Sequence, residues 1–159
     1  MVPAETTRAL LDGEAASISA WAARHGWIVQ LDGLRLALAA LVRHPTDNSL
    51  LVLLADLRGY RAIPPAWRFV DPLTGKSEPV AYPSPGPVSG GKASIFHPQP
   101  TICAPWNRLA YTSEGGVHGD WSDTSNWLNV AGDVVRAANV AEMLSAIDVH
   151  LSFSPGRQG

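Results

Sequence analysis

The residue with the most distinctive chemistry in this chain is Cys103, the only cysteine. It lies in a stretch from His97 to Trp121 that is rich in prolines, histidines and tryptophans. A thiol can act as a nucleophile and carry an acyl group covalently, and proline-rich backbone holds a fixed geometry around it. The alternative is that Cys103 is a small buried hydrophobic side chain, which is how free cysteines usually behave. The surrounding residues favour the reactive thiol.

The same stretch contains the sequence His118-Gly-Asp120-Trp121. An imidazole near a carboxylate can act as a base or orient an amine, so one hypothesis is a thiol hydrolase built on Cys103, His118 and Asp120. That hypothesis requires the imidazole within hydrogen-bond reach of the sulfur. In the alternative interpretation this sequence is a turn, in which Trp121 fills a groove and Asp120 caps a helix.

Composition limits the class of protein to which the thiol belongs. The 159 residues are 46% hydrophobic and 16% charged, which predicts one globular domain over residues 1–159 with a substantial core. Twelve basic and fourteen acidic residues give a net charge of -2, so we expect no nucleic-acid partner. Ten of the basic residues are arginine, and the lysines are Lys76 and Lys92.

The apolar segments are far shorter than the roughly 20 residues that span a bilayer, so we expect no membrane association. An acidic residue, Glu5, precedes any apolar run, unlike in a secretory signal. One cysteine allows no internal disulfide, and no zinc-ligand spacing is present. We therefore expect a cytoplasmic protein without a metal or cofactor.

Apolar periodicity and turn residues predict the elements that position the thiol. Before the proline-rich region we expect a helix over Thr6–His25 that ends at Gly26. Strands should follow at Trp27–Leu31 and Leu34–Arg43, joined by a two-residue Asp32-Gly33 turn. A central strand, buried on both faces, is expected within Ser49–Leu57.

Ten of the thirteen prolines fall between Pro64 and Pro105, where missing amide donors disfavour regular structure. In this region we expect a short strand at Trp67–Val70, a turn at Asp71–Gly75 and an irregular surface loop or lid over Glu78–Lys92. A helix capped by Asp123 or Thr124 should follow and carry Leu128 to Ala138. A final helix should run from the capping box Asn139-x-x-Glu142 to about His150. This order predicts an α+β fold: an N-terminal helix, a four-stranded antiparallel meander, an irregular active-site segment and C-terminal helices.

Three sequence patterns carry a resemblance to a known family. Residues Tyr60 to Phe69, Tyr-Arg-Ala-Ile-Pro-Pro-Ala-Trp-Arg-Phe, resemble the Tyr-Pro-x-x-Pro-Pro-x-x-x-Phe signature of ubiquitin-conjugating enzymes, with Arg61 replacing the first proline. His97-Pro-Gln99 resembles the family's His-Pro-Asn motif, and Ile102-Cys103 its active-site pair. The order of elements is also similar, over about the whole domain. The chain thus resembles a divergent bacterial member of this ubiquitin-conjugating-enzyme-like (UBC-like) family.

The resemblance implies an activity and partners. Cys103 would carry a ubiquitin-like modifier as a thioester and transfer it to an amine. Bacterial relatives are encoded beside a ThiF-type adenylating (activating) enzyme, a ubiquitin-like protein and often a JAMM-type deconjugating protease, in operons linked to antiphage defence. The same partners are implied here.

Transfer between two thioesters is nearly balanced in energy, so Cys103 needs access and geometry more than a strongly lowered pKa. For transfer to an amine, an amide donor such as Gln99 or Asn107 would stabilise the oxyanion, and Asp120 or Asp123 would orient the amine. His97 is mainly structural in the family pattern, and Gln99 fits that role equally well.

The chain departs from the family pattern after the thiol. Gln99 stands where the family has Asn, and Ala104 to Trp121 replaces the usual acidic and leucine-rich continuation. Besides the hydrolase, a second alternative therefore remains: a catalytically silent relative that binds a modifier. Retention of the cysteine disfavours it.

Overall fold

The computed structural model describes residues 2–88 and 92–159. They form the expected α+β fold, in which two α-helices accompany a four-stranded antiparallel sheet with the strand order β1-β2-β3-β4. The elements in chain order are α1 (Ala4–His25), β1 (Ile28–Asp32), β2 (Ala37–Arg43), β3 (Leu50–Asp56), β4 (Ala66–Val70), the hairpin strands β5 (Phe96–His97) and β6 (Thr101–Ile102), and α2 (Val140–Phe153).

Helix α1 forms where the apolar periodicity predicts it. Its buried side chains include Leu11, Ile18 and Trp21, which recur on one face and enter the core. The helix ends because Gly26 adopts the left-handed conformation, with φ of 71°, and its amide donates to the Ala22 carbonyl. Both the helix and its glycine stop are confirmed.

The sheet presents one apolar face to the core. Leu31, Leu38, Ala55 and Trp67 lie in register across the four strands, and the last three are at most 3% exposed. Strand β3 is interior, as predicted, but buried residues alternate with half-buried ones along it. The expectation of burial on both faces was therefore wrong, because only one face is fully covered.

The first hairpin differs from the predicted two-residue turn. The Oδ1 atom of Asp32 accepts hydrogen bonds from the backbone amides of Leu34 and Arg35, both at 3.0 Å. This side-chain turn uses the amides that a strand would need, so β2 begins only at Ala37. Leu34 is consequently 85% exposed and does not join the inner face.

The Glu14 carboxylate of α1 joins Tyr60 and the start of α2. The Tyr60 Oη donates to Oε2 of Glu14 at 2.6 Å, and the Val140 amide at the start of α2 donates to Oε1 of the same carboxylate at 2.9 Å. Burial, followed by the Glu14 hydrogen bond, raises the pKa of Tyr60 well above its usual range. Tyr60 is fully buried, which fits a scaffold role for this part of the proline-rich segment.

The described part of the predicted loop 78–92 packs onto the C-terminal end of α2. Tyr82 is 1% exposed, and the Ser84 amide donates to the Gly156 carbonyl at 2.7 Å. Gly86 approaches α2 so closely that a Cβ atom there would lie 2.0 Å from the Phe153 carbonyl oxygen. Residues 78–88 are thus anchored, while residues 89–91 of the predicted loop lie outside the described residues.

The predicted helix through Ala138 is reduced to a 3-10 turn at Thr124–Asn129. Asp123 caps that turn by accepting the Ser125 amide at 2.9 Å. Beyond it, Gly132 adopts a left-handed φ of 97°, which interrupts an α-helix, and the Val135 carbonyl accepts from the indole of Trp106. Tertiary contacts therefore replace helical hydrogen bonds between residues 130 and 138.

Helix α2 begins at the predicted capping box. Oδ1 of Asn139 accepts the Glu142 amide at 2.9 Å, and Oε2 of Glu142 reaches back to the Ala138 amide at 2.6 Å. The helix ends at Phe153, three residues beyond the predicted end. In residues 2–88 and 92–159, neither α-helix has the length and apolarity required to cross a membrane.

Candidate functional site

Cys103 directly follows β6 and is tethered to α2 through the main chain of Ile95. The Cys103 amide donates to the Ile95 carbonyl at 2.6 Å. The Ile95 amide in turn donates to Nδ1 of His150, a nearly buried residue of α2, at 3.1 Å. These two hydrogen bonds, which we call the main-chain relay through Ile95, fix the position of the Cys103 backbone relative to α2.

The thiol opens into a cleft with a volume of about 440 Å³. Its walls come from the segment before β5, the β5–β6 hairpin, the loop that ends at Trp121 and the irregular segment 131–135. The lining side chains with polar or reactive groups include Lys92, His97, Cys103, His118, Asp120 and Asp133. The structure thus brings four predicted site residues, His97, Cys103, His118 and Asp120, to one place.

Burial determines the protonation state of the thiol. Cys103 is half-buried, and desolvation raises its pKa to about 11. Among the described residues, no hydrogen bond to its Sγ is present and no charge shifts its pKa. At pH 7 a pKa of about 11 leaves about one thiolate in ten thousand, so Cys103 is a neutral thiol at rest.

His97 closes the hairpin before the thiol. Its Nδ1 accepts the Gln99 backbone amide at 3.1 Å, which is the structural role expected of this residue. A nitrogen that accepts carries no proton, so the neutral ring keeps its hydrogen on Nε2. His97 thereby becomes a hydrogen-bond donor on the cleft wall. Gln99 is exposed and does not line the cleft, so the structure does not bring it to the thiol.

Asn107 has a different role from the predicted oxyanion donor. It is fully buried, and its Nδ2 donates to the carbonyls of Trp67 and Ile102 at 3.2 and 2.8 Å. Its Oδ1 accepts the Trp67 amide at 2.8 Å and the Leu109 amide at 3.3 Å. With both amide hydrogens engaged, Asn107 joins β4 to β6 and has no donor left for a reacting oxygen. Its assignment to catalysis was therefore wrong.

His118 contacts both Asp120 and Trp121. The imidazole stacks on the Trp121 indole with ring centroids 3.6 Å apart and 7° between the planes. Its Nδ1 lies 3.3 Å from Oδ1 of Asp120. A carboxylate oxygen accepts, so Nδ1 donates its hydrogen to Asp120, and Nε2, which has no hydrogen-bond partner among the described residues, keeps its lone pair. His118 and His97 therefore present opposite tautomers.

The backbone of this loop explains why His118 reaches the cleft. Gly116 lies against the preceding turn, where a Cβ atom would be 2.2 Å from the Ala110 carbonyl carbon. The His118 amide donates to the Ala110 carbonyl at 2.9 Å, which folds the loop back. Tyr111 donates to the Pro105 carbonyl at 2.7 Å and joins this loop to the residues after the thiol. A glycine at position 116 is thus required for the placement of His118.

Several other residues near the site are structural. Trp106, Trp121 and Trp127 are between 1 and 6% exposed, and of these three Trp121 lines the cleft. Arg108 anchors the loop that follows Asn107, because its guanidinium donates to the Arg58 and Pro64 carbonyls at 2.8 and 3.2 Å. Asp123, the alternative amine-orienting carboxylate, caps the 3-10 turn and is not among the residues lining the cleft.

Two cleft residues were missed by the sequence interpretation. Nζ of Lys92 lies 3.1 Å from Oδ1 of Asp133, and both side chains are more than half exposed. They stand 41 positions apart, and no motif or periodicity relates them. In the described part of the chain, no group of three or more His, Cys, Asp or Glu residues could hold a metal ion.

Comparison with known proteins gives no assignment. No protein-family model, no curated protein and no solved structure matches this chain.

Proposed function

We propose that this chain is a divergent bacterial conjugating enzyme of the UBC-like family, which carries a ubiquitin-like modifier as a thioester on Cys103 and transfers it to an amine. Its proposed partners are a ThiF-type activating enzyme and the ubiquitin-like protein, with a JAMM-type protease reversing the reaction, in an antiphage defence operon. We place it in the cytoplasm. The sequence resemblance gives the class, and the state of the Cys103 thiol supports it.

The neutral, half-buried thiol without a bonded base is the observation that carries the proposal. A cysteine hydrolase depends on a thiolate stabilised by a neighbouring imidazole, which lowers the thiol pKa. Here burial raises the pKa to about 11, and no hydrogen bond links His118 to Sγ within the described residues. Thioester exchange tolerates such a thiol because its product, an S-acyl group, has no charge for burial to penalise. Acyl carriage therefore fits the site better than hydrolysis.

The first reaction is exchange of one thioester for another. The Cys103 thiol loses its proton, and its sulfur attacks the carbonyl carbon at the C-terminus of the modifier. The bond to the activating enzyme's sulfur breaks, and that sulfur leaves with a proton. His97 is suited to help, since its Nε2–H donor on the cleft wall can stabilise the transient oxyanion without itself ionising.

The second reaction is attack by an amine on the Cys103 thioester. An attacking amine must lose one proton, and the leaving sulfur of Cys103 must gain one. His118 has a free Nε2 lone pair and is held by Asp120 and Trp121, so it can take the proton from the amine. Asp120 is 78% exposed on its side chain, and its carboxylate can also attract an incoming ammonium group. These two residues therefore serve transfer more than charging.

The direct test is charging of the purified chain with its activating enzyme, the modifier and ATP. We expect an adduct that reductant removes, none with Cys103→Ala, and a slower, reductant-resistant oxyester with Cys103→Ser. Adduct formation by Cys103→Ala at the wild-type rate would refute the assignment of the nucleophile.

His118→Ala separates the proposal from the hydrolase alternative. A conjugating enzyme with this substitution still charges Cys103 but transfers the modifier to amines more slowly, because only the second step loses its base. A hydrolase would lose all turnover of acyl substrates. Arg58→Ala is a matched control, since this exposed side chain pairs with Asp56 and does not line the cleft.

A further inference from the structure

Lys92 is the only lysine that lines the cleft containing Cys103. The chain has two lysines, and the other, Lys76, is an exposed residue that follows the turn after β4. Lys92 comes to the cleft from the segment before β5, whereas Cys103 stands after β6. A primary amine and the Cys103 thiol therefore line the same open cleft.

An ion pair places the Lys92 amine beside Asp133 at the cleft. The Lys92 Nζ lies 3.1 Å from Oδ1 of Asp133, which belongs to the irregular segment 131–135 that also lines the cleft. The Lys92 side chain is 57% exposed, so its flexible four-carbon stem can move within the cleft that it shares with Cys103. The pair thus limits where the amine is found without locking it in place.

We propose that Lys92 is an internal acceptor, to which an acyl group carried on Cys103 passes to form a stable amide within the same chain. The inference rests on the proposed function for the identity of the acyl group, which is the C-terminal glycyl group of the modifier. It adds to that function a specific amine, that of Lys92, as an acceptor of the acyl group.

The transfer balances without any further reactant. The Lys92 ammonium gives one proton to solvent or to Nε2 of His118, and the neutral amine attacks the thioester carbonyl carbon. The new C–N bond forms as the C–S bond breaks. A second proton leaves nitrogen and reaches the departing sulfur, so the products are an amide on Lys92 and the free thiol of Cys103. Because the two groups share one cleft, the reaction is intramolecular and needs no second protein.

A modified Lys92 would change the cleft in two ways. The amide has no positive charge, so the ion pair with Asp133 is lost. The attached chain also occupies the space above Cys103. Self-modification therefore limits further charging of the same molecule.

A small thioester tests this inference without the activating enzyme. The probe is the mercaptoethanesulfonate thioester of N-acetylglycine, incubated with the folded full-length chain and followed by mass spectrometry. Acyl groups on sulfur are removed by hydroxylamine, whereas amides on lysine remain. We expect Cys103 to be acylated first and a hydroxylamine-stable acyl group to accumulate on Lys92, about tenfold or more faster than on Lys76.

Matched variants give the controls. Lys92→Arg retains the charge opposite Asp133 and should abolish the stable product, while Lys76→Arg should leave it unchanged. Cys103→Ala should reduce acylation of Lys92 to the level of Lys76. Equal acylation of both lysines, full acylation of Lys92 in Cys103→Ala, or no acylation of Cys103 overturns the inference. Failure of the proposed function is distinct, because it appears only when the activating enzyme and modifier do not charge Cys103.

Discussion

Raising the pH should activate the Cys103 thiol over an unusually alkaline range. Burial raises its pKa to about 11, against about 9 for an unperturbed thiol. At pH 7 this difference lowers the thiolate fraction about a hundredfold. A more basic thiolate is intrinsically more nucleophilic by about eightfold for two pKa units, given a Brønsted coefficient of 0.4–0.5. The net expectation is alkylation about tenfold slower at pH 7 than for an unperturbed thiol.

The assay is the second-order rate of alkylation by iodoacetamide between pH 7 and pH 11. With one cysteine in the chain, every alkylated molecule reports on Cys103. The folded protein should show a rate that rises about tenfold per pH unit up to about pH 10, because the thiolate fraction grows in that proportion. The same protein unfolded in urea should level off near pH 9, and circular dichroism sets the range in which the native fold persists.

Limited steric access to the sulfur lowers the alkylation rate by the same factor at every pH, so it does not change the shape of this profile. A half-maximal rate at or below about pH 9 in the folded protein would refute the reasoning, because burial would then not raise the pKa of the thiol. A half-maximal rate below about pH 7.5 would further require a thiolate stabilised by a nearby positive charge. That outcome would favour the hydrolase built on Cys103, His118 and Asp120.

Two stability predictions follow from buried polar groups. Burial lowers the pKa of His44 and of His150, although Asp47 partly opposes this at His44. Below about pH 6.5 the unfolded chain therefore binds more protons than the folded chain. As the pH drops from there toward the folded pKa values, the free energy of unfolding should fall by up to about 1.4 kcal/mol per pH unit for each histidine. Urea titrations at pH 7.5 and 5.5 check the sign, and a higher midpoint at pH 5.5 would contradict it. Asn107→Ala leaves several buried backbone groups unpaired and should cost about 3–5 kcal/mol by the same titration, whereas the exposed control Gln99→Ala should change stability by less than about 0.5 kcal/mol.

Local sequence signals were sufficient where they coincided with tertiary packing. The periodicity of α1 with Gly26, and the Asn139-x-x-Glu142 box of α2, predicted helices that the structure contains. The alternating apolar residues predicted the antiparallel sheet. In each case the local hydrogen-bonding preference and the burial of one face act in the same direction. The fold class therefore followed from the sequence.

Local signals failed where a side chain competes with the backbone. Asp32 captures two amides and shortens β2, and the left-handed Gly132 prevents the predicted helix from continuing. Asn107 was misassigned because an amide side chain has the same chemistry in a core as in an active site. Only the contacts with Trp67 and Ile102 distinguish the two roles. The Lys92–Asp133 pair carries no local signal, since distant segments create it.

The main-chain relay through Ile95 has a consequence for how the site responds to damage elsewhere. Proteins open locally in cooperative units, and each amide takes the opening free energy of the unit to which it is bonded. Although Cys103 lies in an irregular segment, its amide is bonded to Ile95, which is bonded to His150 of α2. The loop that carries Cys103 is therefore expected to open together with the C-terminal helix. Substitutions that destabilise α2 should lower the opening free energy of the Cys103 segment even when they lie outside the cleft. A partner that binds and stabilises α2 should raise it.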